Sequence, residues 1–200
     1  MSAQPKLKYS LEEYFELDRN SEERWEFWDG EIFNMSGVSR NHGLVEMNIS
    51  IFLGARLMAK GCQLLPANIR IKVPSMPPYR YGDLSALCGQ PKFEKIGGVD
   101  ALTNPSLIIE VLSDSTEAYD RGDKFTHYKS IPAFSEYLLV AQHRPHISQF
   151  IKQNDGSWIY REFNSLTDKV KLETLGCELS LSEIYQSITF DAANKPIGVV

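Results

Sequence analysis

The sequence NPSLIIEVLSDSTEAYDRGDKFTHYKSIP (residues 104–132) decides the fold that we expect for this chain. It opens with a short apolar run over residues 107–113, which is typical of a buried central strand. A helix is predicted to follow over about residues 116–130. Ile131-Pro132 ends this helix, because the residue before a proline avoids helical geometry. A strand followed by a helix indicates a sheet on which helices pack.

The rest of the chain alternates predicted helices and strands. Ser10 and Glu13 form a capping-box pattern that begins a short acidic helix, and Asp29-Gly30 is a hairpin-turn signal within residues 24–33. Residues 41–60 carry the best helical pattern. The remaining predictions are strands at 63–73, 81–88, 136–141, 146–151 and 158–163 and a short helix at 181–186. Together they predict an α/β (α+β) fold whose mixed central sheet is flanked by helices, with an N-terminal helix and hairpin. We expect one domain over residues 1–190 and a C-terminal tail over residues 191–200.

The composition favours a globular protein and excludes few partners. The chain has 200 residues, 42% of them hydrophobic, and a formal net charge of −5. Nine acidic residues and two arginines fall within residues 10–31, so the rest of the chain is slightly basic. This charge distribution does not exclude nucleic acid as a partner, although the sequence contains no strong basic patch. The sequence shows no export signal and no apolar stretch that could span a bilayer, so we expect no membrane partner and a cytoplasmic location. Three scattered cysteines with no CxxC pair predict reduced thiols.

Two acidic residues interrupt strands that are otherwise apolar. Glu110 lies within the run 107–112, and Asp83 opens the predicted strand that ends near residue 88. A buried carboxylate must be paired, metal-bound or protonated, because burying it bare costs many kcal/mol. A salt bridge explains one such acid equally well. Two acids on neighbouring strands indicate a cation between them, and hard oxygen ligands suit Mg²⁺ or Mn²⁺.

Lys124 is placed to join these acids. Glu110 lies roughly 10 Å before the strand end, and Lys124 lies roughly 12 Å into the returning helix. If the helix packs back on the sheet, the two residues come to the same level and the lysine can reach the acid. A surface ion pair between Lys124 and Asp120, four residues earlier, is the alternative interpretation.

Several segments resemble one family in the same order along the chain. They are WEFWDGEIFNMSG, PSLIIEVLSDSTEAYDRGDKF, YKSIPAFSEYLLV and LSLSEIY, which together cover nearly the whole sequence. In these segments the chain resembles the "putative restriction endonucleases" of the Uma type, a branch of the PD-(D/E)XK nuclease-like superfamily. The resemblance implies a restriction-endonuclease-like core in which two acids bind Mg²⁺ and a lysine assists phosphodiester hydrolysis.

The family motif falls on named residues of this chain. The resemblance implies that Asp83 and Glu110 are the two acids and that the carbonyl of Val111 is a further metal ligand. Two positions depart from the motif, because Gly82 replaces the proline before the aspartate and Leu112 replaces the lysine two residues after the second acid. Lys124 is the natural substitute for the missing lysine.

Three residues are candidates for supporting roles, each with a simpler interpretation. Tyr128 shares the helical stripe of Lys124 but suits a buried aromatic core equally well. His42 lies near the start of the long helix, where its side chain could simply cap the N-terminus of the helix. Glu31 follows the hairpin turn, where it could be an ordinary solvated strand residue.

The expected partner is nucleic acid, with DNA as the first candidate. Arg80 and Arg121 are the basic residues that we expect to contact it. A homodimer is expected, since cutting both strands of a duplex usually takes two sites related by a two-fold axis. Two alternatives remain open: a catalytically inactive nuclease-fold binding module, and a metal-dependent hydrolase of another phosphoester.

Overall fold

The structure is a computed structural model, and it describes residues 8–35 and 37–190. Its strands are β1 (Trp25–Trp28), β2 (Glu31–Asn34), β3 (Cys62–Pro66), β4 (Arg70–Ile71), β5 (Arg80–Tyr81), β6 (Leu84–Cys88), β7 (Phe93–Ile96), β8 (Val99–Leu102), β9 (Leu107–Leu112), β10 (Glu136–Ala141), β11 (Ile147–Lys152), β12 (Trp158–Phe163), β13 (Lys169–Leu172) and β14 (Cys177–Ser180). Its helices are α1 (Leu11–Asn20), α2 (Arg40–Met58), α3 (Glu117–Tyr119), α4 (Phe125–Tyr128) and α5 (Leu181–Ile184), and a π-helical turn at Asp120–Lys124 joins α3 to α4. Over the described ranges, no helix combines the length and apolar character that a membrane crossing needs.

The central sheet confirms the predicted mixed α/β architecture. Its strand order is β12-β11-β10-β9-β6-β3. β9 runs parallel to β10 and antiparallel to β6, so the sheet is mixed at its centre. All six residues of β9 are buried, because both faces of this strand are covered. The helical residues 117–128 connect β9 to its parallel neighbour β10, as a parallel connection requires.

The two faces of β9 belong to different apolar clusters. Leu107, Ile109 and Val111 pack with the buried side of α2. The alternate residues Ile108 and Leu112 pack with the aromatic side chains that cover the opposite face, in keeping with the two-residue period of a strand. Those aromatic side chains are Phe125, Tyr128, Phe134 and Tyr137. Glu110 therefore faces the side of the sheet that residues 117–128 cover.

The N-terminal elements form as the local sequence predicts. Ser10 and Glu13 make both hydrogen bonds of the capping box at the start of α1. Asp29 and Gly30 have φ values of 47° and 82°, the left-handed geometry that a type I′ hairpin turn requires. The β1–β2 hairpin packs near a second sheet of order β5-β4-β8-β7, and the buried Tyr14 lies in the cluster between them.

Several predicted elements differ from the observed ones because their partners are distant in sequence. The strand predicted at 63–73 divides into β3 in the central sheet and β4 in the second sheet. The strand predicted at 81–88 breaks at Gly82 and Asp83, between β5 and β6. The β7–β8 and β13–β14 hairpins are absent from the sequence prediction, and each of their strands has only four residues. The predicted tail, residues 191–200, lies outside the described residues.

The expectation of three reduced thiols is wrong for two of them. Cys62 and Cys88 form a disulfide, whereas Cys177 is a buried free thiol. The two bonded cysteines are 26 residues apart, but they lie opposite each other in the antiparallel β3–β6 register. The sequence contains no spacing signal for this pair, because pairing between the strands brings the cysteines together.

Candidate active site

A cavity of about 380 Å³ opens where β6 and β9 separate. Asp83, Glu110, Val111 and Lys124 all line it, together with His42 from the first turn of α2. The structure thus brings the predicted acids and the predicted lysine to one place.

Asp83 and Glu110 lie opposite each other at the end of the β6–β9 ladder. The register pairs Leu84 with Ile109, so the next pair outward is Asp83 and Glu110. The backbone N–H of Asp83 donates to Oε2 of Glu110 at 3.3 Å. The N–H of Val111 donates to Oδ2 of Asp83 at 2.7 Å. At the end of the β6–β9 ladder, the Asp83 carboxylate therefore accepts a hydrogen bond that a backbone carbonyl would accept if the ladder continued.

Val111 presents its backbone to the same place. In an antiparallel ladder, the residues of a hydrogen-bonded pair exchange both N–H···O bonds, so the N–H and carbonyl of one residue face the same neighbour. The Val111 N–H faces Asp83, and its carbonyl therefore lies on the Asp83 side of β9.

Lys124 reaches Glu110 from the helical segment that covers this face of the sheet. Its Nζ lies 2.9 Å from Oε1 of Glu110 and 3.3 Å from Oδ1 of Asp120. All three side chains are buried, with 3 to 4% of each exposed. The π-helical turn begins at Asp120 and ends at Lys124. Single π turns within helices are frequent at functional sites. The surface ion pair considered from the sequence is in fact a buried triad.

The Glu110 carboxylate is held by several donors. The Tyr128 hydroxyl donates to Oε1 at 3.0 Å, beside the Lys124 ammonium. Burial raises the pKa of Glu110 well above its ordinary value; the Lys124 charge opposes this, while the Asp120 and Asp83 charges add to it. Burial acts in the opposite direction on Lys124, but Glu110 and Asp120 outweigh it and raise the pKa of the ammonium. Lys124 therefore stays charged between two carboxylates.

His42 supports the other acid. Its Nε2 lies 3.3 Å from Oδ2 of Asp83, and its Nδ1 is buried with no hydrogen-bond partner among the described residues. Burial alone lowers the pKa of His42, but the hydrogen bond and charge of Asp83 and the charge of Glu46 raise it above its ordinary value. Burial alone would raise the pKa of Asp83, and the His42 contact, the Lys124 charge and the Val111 N–H together lower it. His42 thus favours an ionised Asp83.

The donor set fits a hard divalent cation. In the described part of the chain, no donor from the protein is directed at Oδ1 of Asp83, and 17% of that side chain is exposed. No cluster of three or more His, Cys, Asp or Glu side chains suited to a metal occurs within the described ranges. The protein therefore offers two carboxylates and a backbone carbonyl. Mg²⁺ suits such a site, because it keeps several waters and commonly takes only one or two carboxylates alongside substrate oxygens.

The structure corrects one of the two nucleic-acid contacts expected from the sequence. Arg80 is 1% exposed and lies 3.8 Å from Glu26, so its guanidinium is not available to a phosphate outside the protein. Arg121 is half-buried, and it pairs with Glu117 at 2.7 Å and donates to Ser148 at 3.1 Å. Neither arginine lines the cavity.

Glu31 also lies away from the two acids. It stands opposite Trp28 next to the hairpin turn, whereas the far end of β2 brings Asn34 and Met35 to the cavity. Glu31 is not among the described residues that line the cavity.

Sequence reasoning missed two groups that line the cavity, Arg24 and Gln142, and its alternative interpretation placed the Asp120–Lys124 pair at the surface. Asp120 is buried against Lys124, and its four-residue spacing from that lysine was the available signal. Arg24 lines the cavity and donates to the carbonyl of Met35 at 3.1 Å. Gln142, just after β10, lines it as well. The last two come from distant parts of the chain and carry no local signal.

The chain is similar over most of its length to a family model and to curated relatives. The family model Uma2, described as "Putative restriction endonuclease", matches residues 11–183. Among curated relatives, the uncharacterised protein slr1290 of Synechocystis sp. is 32% identical over 186 residues, which are 93% of this chain and 96% of that protein. A second Synechocystis protein, sll1609, is 33% identical over 150 residues, which are 75% of this chain and 84% of that protein.

A solved structure shares the fold. The crystal structure of a putative nuclease belonging to DUF820 from Anabaena variabilis superposes with a TM-score of 0.71. The match covers 90% of this chain and 98% of that one, at 13% sequence identity. At this identity the likeness concerns the fold, while the family model covers most of the sequence. The chain therefore belongs to the Uma2 family, the family described as putative restriction endonucleases.

Proposed function

We propose that this chain is a Mg²⁺- or Mn²⁺-dependent endonuclease that hydrolyses nucleic-acid phosphodiester bonds, with DNA as the first candidate substrate. The observation that carries the proposal is the pairing of Asp83 and Glu110 across β6 and β9 at an open cavity, with the Lys124 ammonium 2.9 Å from Glu110. Family membership supports the same reaction class.

Asp83, Glu110 and the Val111 carbonyl would hold the cation. When bound, it would polarise a phosphoryl oxygen and lower the pKa of a nearby water. The chain's own residues prepare that site. His42 favours the ionised form of Asp83, and Tyr128 fixes the orientation of Glu110 through its hydroxyl.

Lys124 has a positional and an electrostatic role in this proposal. Its ammonium opposes the protonation of the buried Glu110 and places a fixed positive charge beside the cavity, where negative charge develops during hydrolysis. Arg24 adds a second cationic side chain to the cavity wall. Asp83, Glu110 and Asp120 line the same cavity, so the bound divalent cation would supply the further positive charge that attracts an anionic backbone.

The test is metal-dependent nicking of plasmid DNA, with an RNA substrate run in parallel. Asp83→Asn and Glu110→Gln should each abolish cleavage, since each removes a charged cation ligand. Asp100→Asn is the matched control, because Asp100 is an exposed aspartate on β8. Calorimetric titration with Mn²⁺ should show binding to the wild-type protein and the control, with weaker binding to the two site variants.

The two alternatives predict different outcomes. A binding module would retain nucleic acid without cleaving it, and an enzyme for another phosphoester would hydrolyse small phosphoesters while leaving DNA and RNA intact. Either result would overturn the endonuclease proposal, as would full activity in Asp83→Asn.

We also propose that the active form is a homodimer, since double-strand cleavage is most simply made by two sites related by a two-fold axis. Sedimentation of an active preparation tests this assembly, and a clean monomer would contradict it.

A further inference from the structure

A second cavity, of about 320 Å³, opens beside the first. The two cavities share part of their walls, so a ligand in one adjoins a ligand in the other. The shared residues are Asn34, Met35, Ser115, Thr116 and Tyr119. The β1–β2 hairpin completes the second cavity with Glu26, Trp28 and Phe33. Its volume lies within the range of about 300 to 1,000 Å³ typical of sites for small organic ligands.

Exposed aromatic side chains distinguish this cavity from the first. Trp28 is 41% exposed and Phe33 is 42% exposed. They lie on one face of the hairpin, because Trp28 pairs with Glu31 and Phe33 with Glu26. The Trp28 ring stacks on Tyr119, with ring centroids 5.9 Å apart and planes 24° apart, which holds the indole in position. An exposed aromatic face beside a cavity is a surface on which a flat π-system can stack.

The charge of this cavity favours a neutral ligand over an anion. Of the described residues that line it, none is lysine or arginine, and the acid among them, Glu26, is buried 3.8 Å from the Arg80 guanidinium. A phosphate would find no cationic side chain here and would be better placed in the first cavity, beside Arg24 and the proposed divalent cation. A nucleobase is neutral and flat, so it suits an aromatic wall that offers a ligand no cationic side chain.

We propose that this second cavity is a nucleobase subsite, which binds by stacking an unpaired base next to the scissile phosphate. The proposal rests on the proposed nuclease function, since the phosphate of the same strand would occupy the first cavity. Base stacking on aromatic side chains tolerates any sequence and needs an unpaired base. The preferred substrate is therefore single-stranded, frayed or flipped nucleic acid.

The test compares kcat/KM for metal-dependent cleavage of a short fluorescent single-stranded oligonucleotide. Trp28→Ala should lower it about 5- to 150-fold, the loss expected for one stacked base, and Trp28→Phe should restore most of it. Phe93→Ala is the matched control, since Phe93 is 46% exposed on β7 and does not line this cavity. Thermal melts verify that all variants fold.

A second arm identifies the stacked base. A single abasic residue is moved along the oligonucleotide around the mapped cleavage position. At one position it should reproduce the Trp28→Ala loss, and the two losses should not add, because both remove the same contact.

The outcomes separate this proposal from the one on which it rests. If the wild-type protein cleaves nucleic acid and Trp28→Ala matches Phe93→Ala, the base subsite is overturned while the nuclease stands. The subsite is also overturned if Trp28→Ala leaves cleavage unchanged but dissociates an oligomer, which would make this face an interface between copies. A wild-type protein that cleaves no nucleic acid with Mg²⁺ or Mn²⁺ overturns both proposals.

Discussion

Replacing Lys124 with methionine tests whether its ammonium neutralises the buried acids. Met keeps most of the aliphatic length of the side chain and removes only the charge. The change leaves Glu110 and Asp120 without the cation that lies 2.9 Å and 3.3 Å from them. Breaking a buried ion pair by removing one partner costs about 3 to 5 kcal/mol. For a chain of this size we expect Tm to fall by roughly 6 to 20 °C at neutral pH.

The loss of stability in Lys124→Met should depend on pH in a defined direction. Burial already raises the pKa of Glu110, and the Lys124 charge opposes that rise, so removing Lys124 raises the pKa further. Above the unfolded carboxyl pKa of about 4.3, the folded variant then binds more protons than the unfolded chain. Its free energy of unfolding therefore falls as pH rises through this window. The deficit relative to the wild-type protein should be smaller at pH 5 than at pH 8.

Urea unfolding followed by tryptophan fluorescence measures this effect, with the slope m required to stay constant. Lys95→Met is the control, because Lys95 is exposed on β7 and its replacement should change stability by less than about 0.5 kcal/mol. Adding Glu110→Gln to Lys124→Met should recover part of the loss, since the amide is neutral. A loss below about 1 kcal/mol, or an equal loss at pH 5 and pH 8, would refute the reasoning.

Three further predictions concern single contacts in and around the site. Tyr128→Phe removes a buried donor to Glu110 and should lower the unfolding free energy by about 1 to 3 kcal/mol in urea; an unchanged value would contradict the role of the hydroxyl. Gly82→Ala places a Cβ 3.0 Å from Cγ2 of Ile108 and 3.4 Å from Oε1 of Glu110, so thermal melting should show a loss of about 1 to 3 kcal/mol. Gly122→Ala, where the added Cβ meets nothing within 4 Å, should show no loss. Reducing the disulfide between β3 and β6 should lower stability by about 2 to 4 kcal/mol, measured with and without reductant, and equal curves would contradict its contribution.

The parts of the fold that could be predicted are those encoded in neighbouring residues. The apolar residues that flank Glu110 are typical of a buried strand, and the positive φ needed at Asp29 and Gly30 is supplied by residue types that tolerate it. The reach of Lys124 also follows from local arithmetic, because the rise per residue of a strand and of a helix is fixed. The contact with Glu110 then requires only that the helix fold back on the sheet.

What could not be predicted depends on partners that are distant in the chain. Arg80 carries a charge that favours the surface, yet it is buried 3.8 Å from Glu26, which lies fifty-four residues earlier in the chain. Cys62 meets Cys88 through strand register. The break at Gly82 has a similar origin, since the chain passes there from the second sheet to the central sheet. In each case the deciding contact joins elements that no local pattern relates.

Two layers of the fold meet at Glu110, and Lys124 comes from the layer that covers the sheet. A lysine at position 112 would share the face of Glu110, because alternate residues of a strand point the same way. In this chain Leu112 fills that position and belongs to the same apolar cluster as Phe125. Lys124 precedes Phe125 in the helical segment that covers the same face, so its ammonium reaches Glu110 from the opposite wall. The arrangement keeps a cation beside the acid and makes that contact depend on helix-to-sheet packing. Substitutions that loosen this packing should therefore change the protonation of Glu110 even when they touch neither residue.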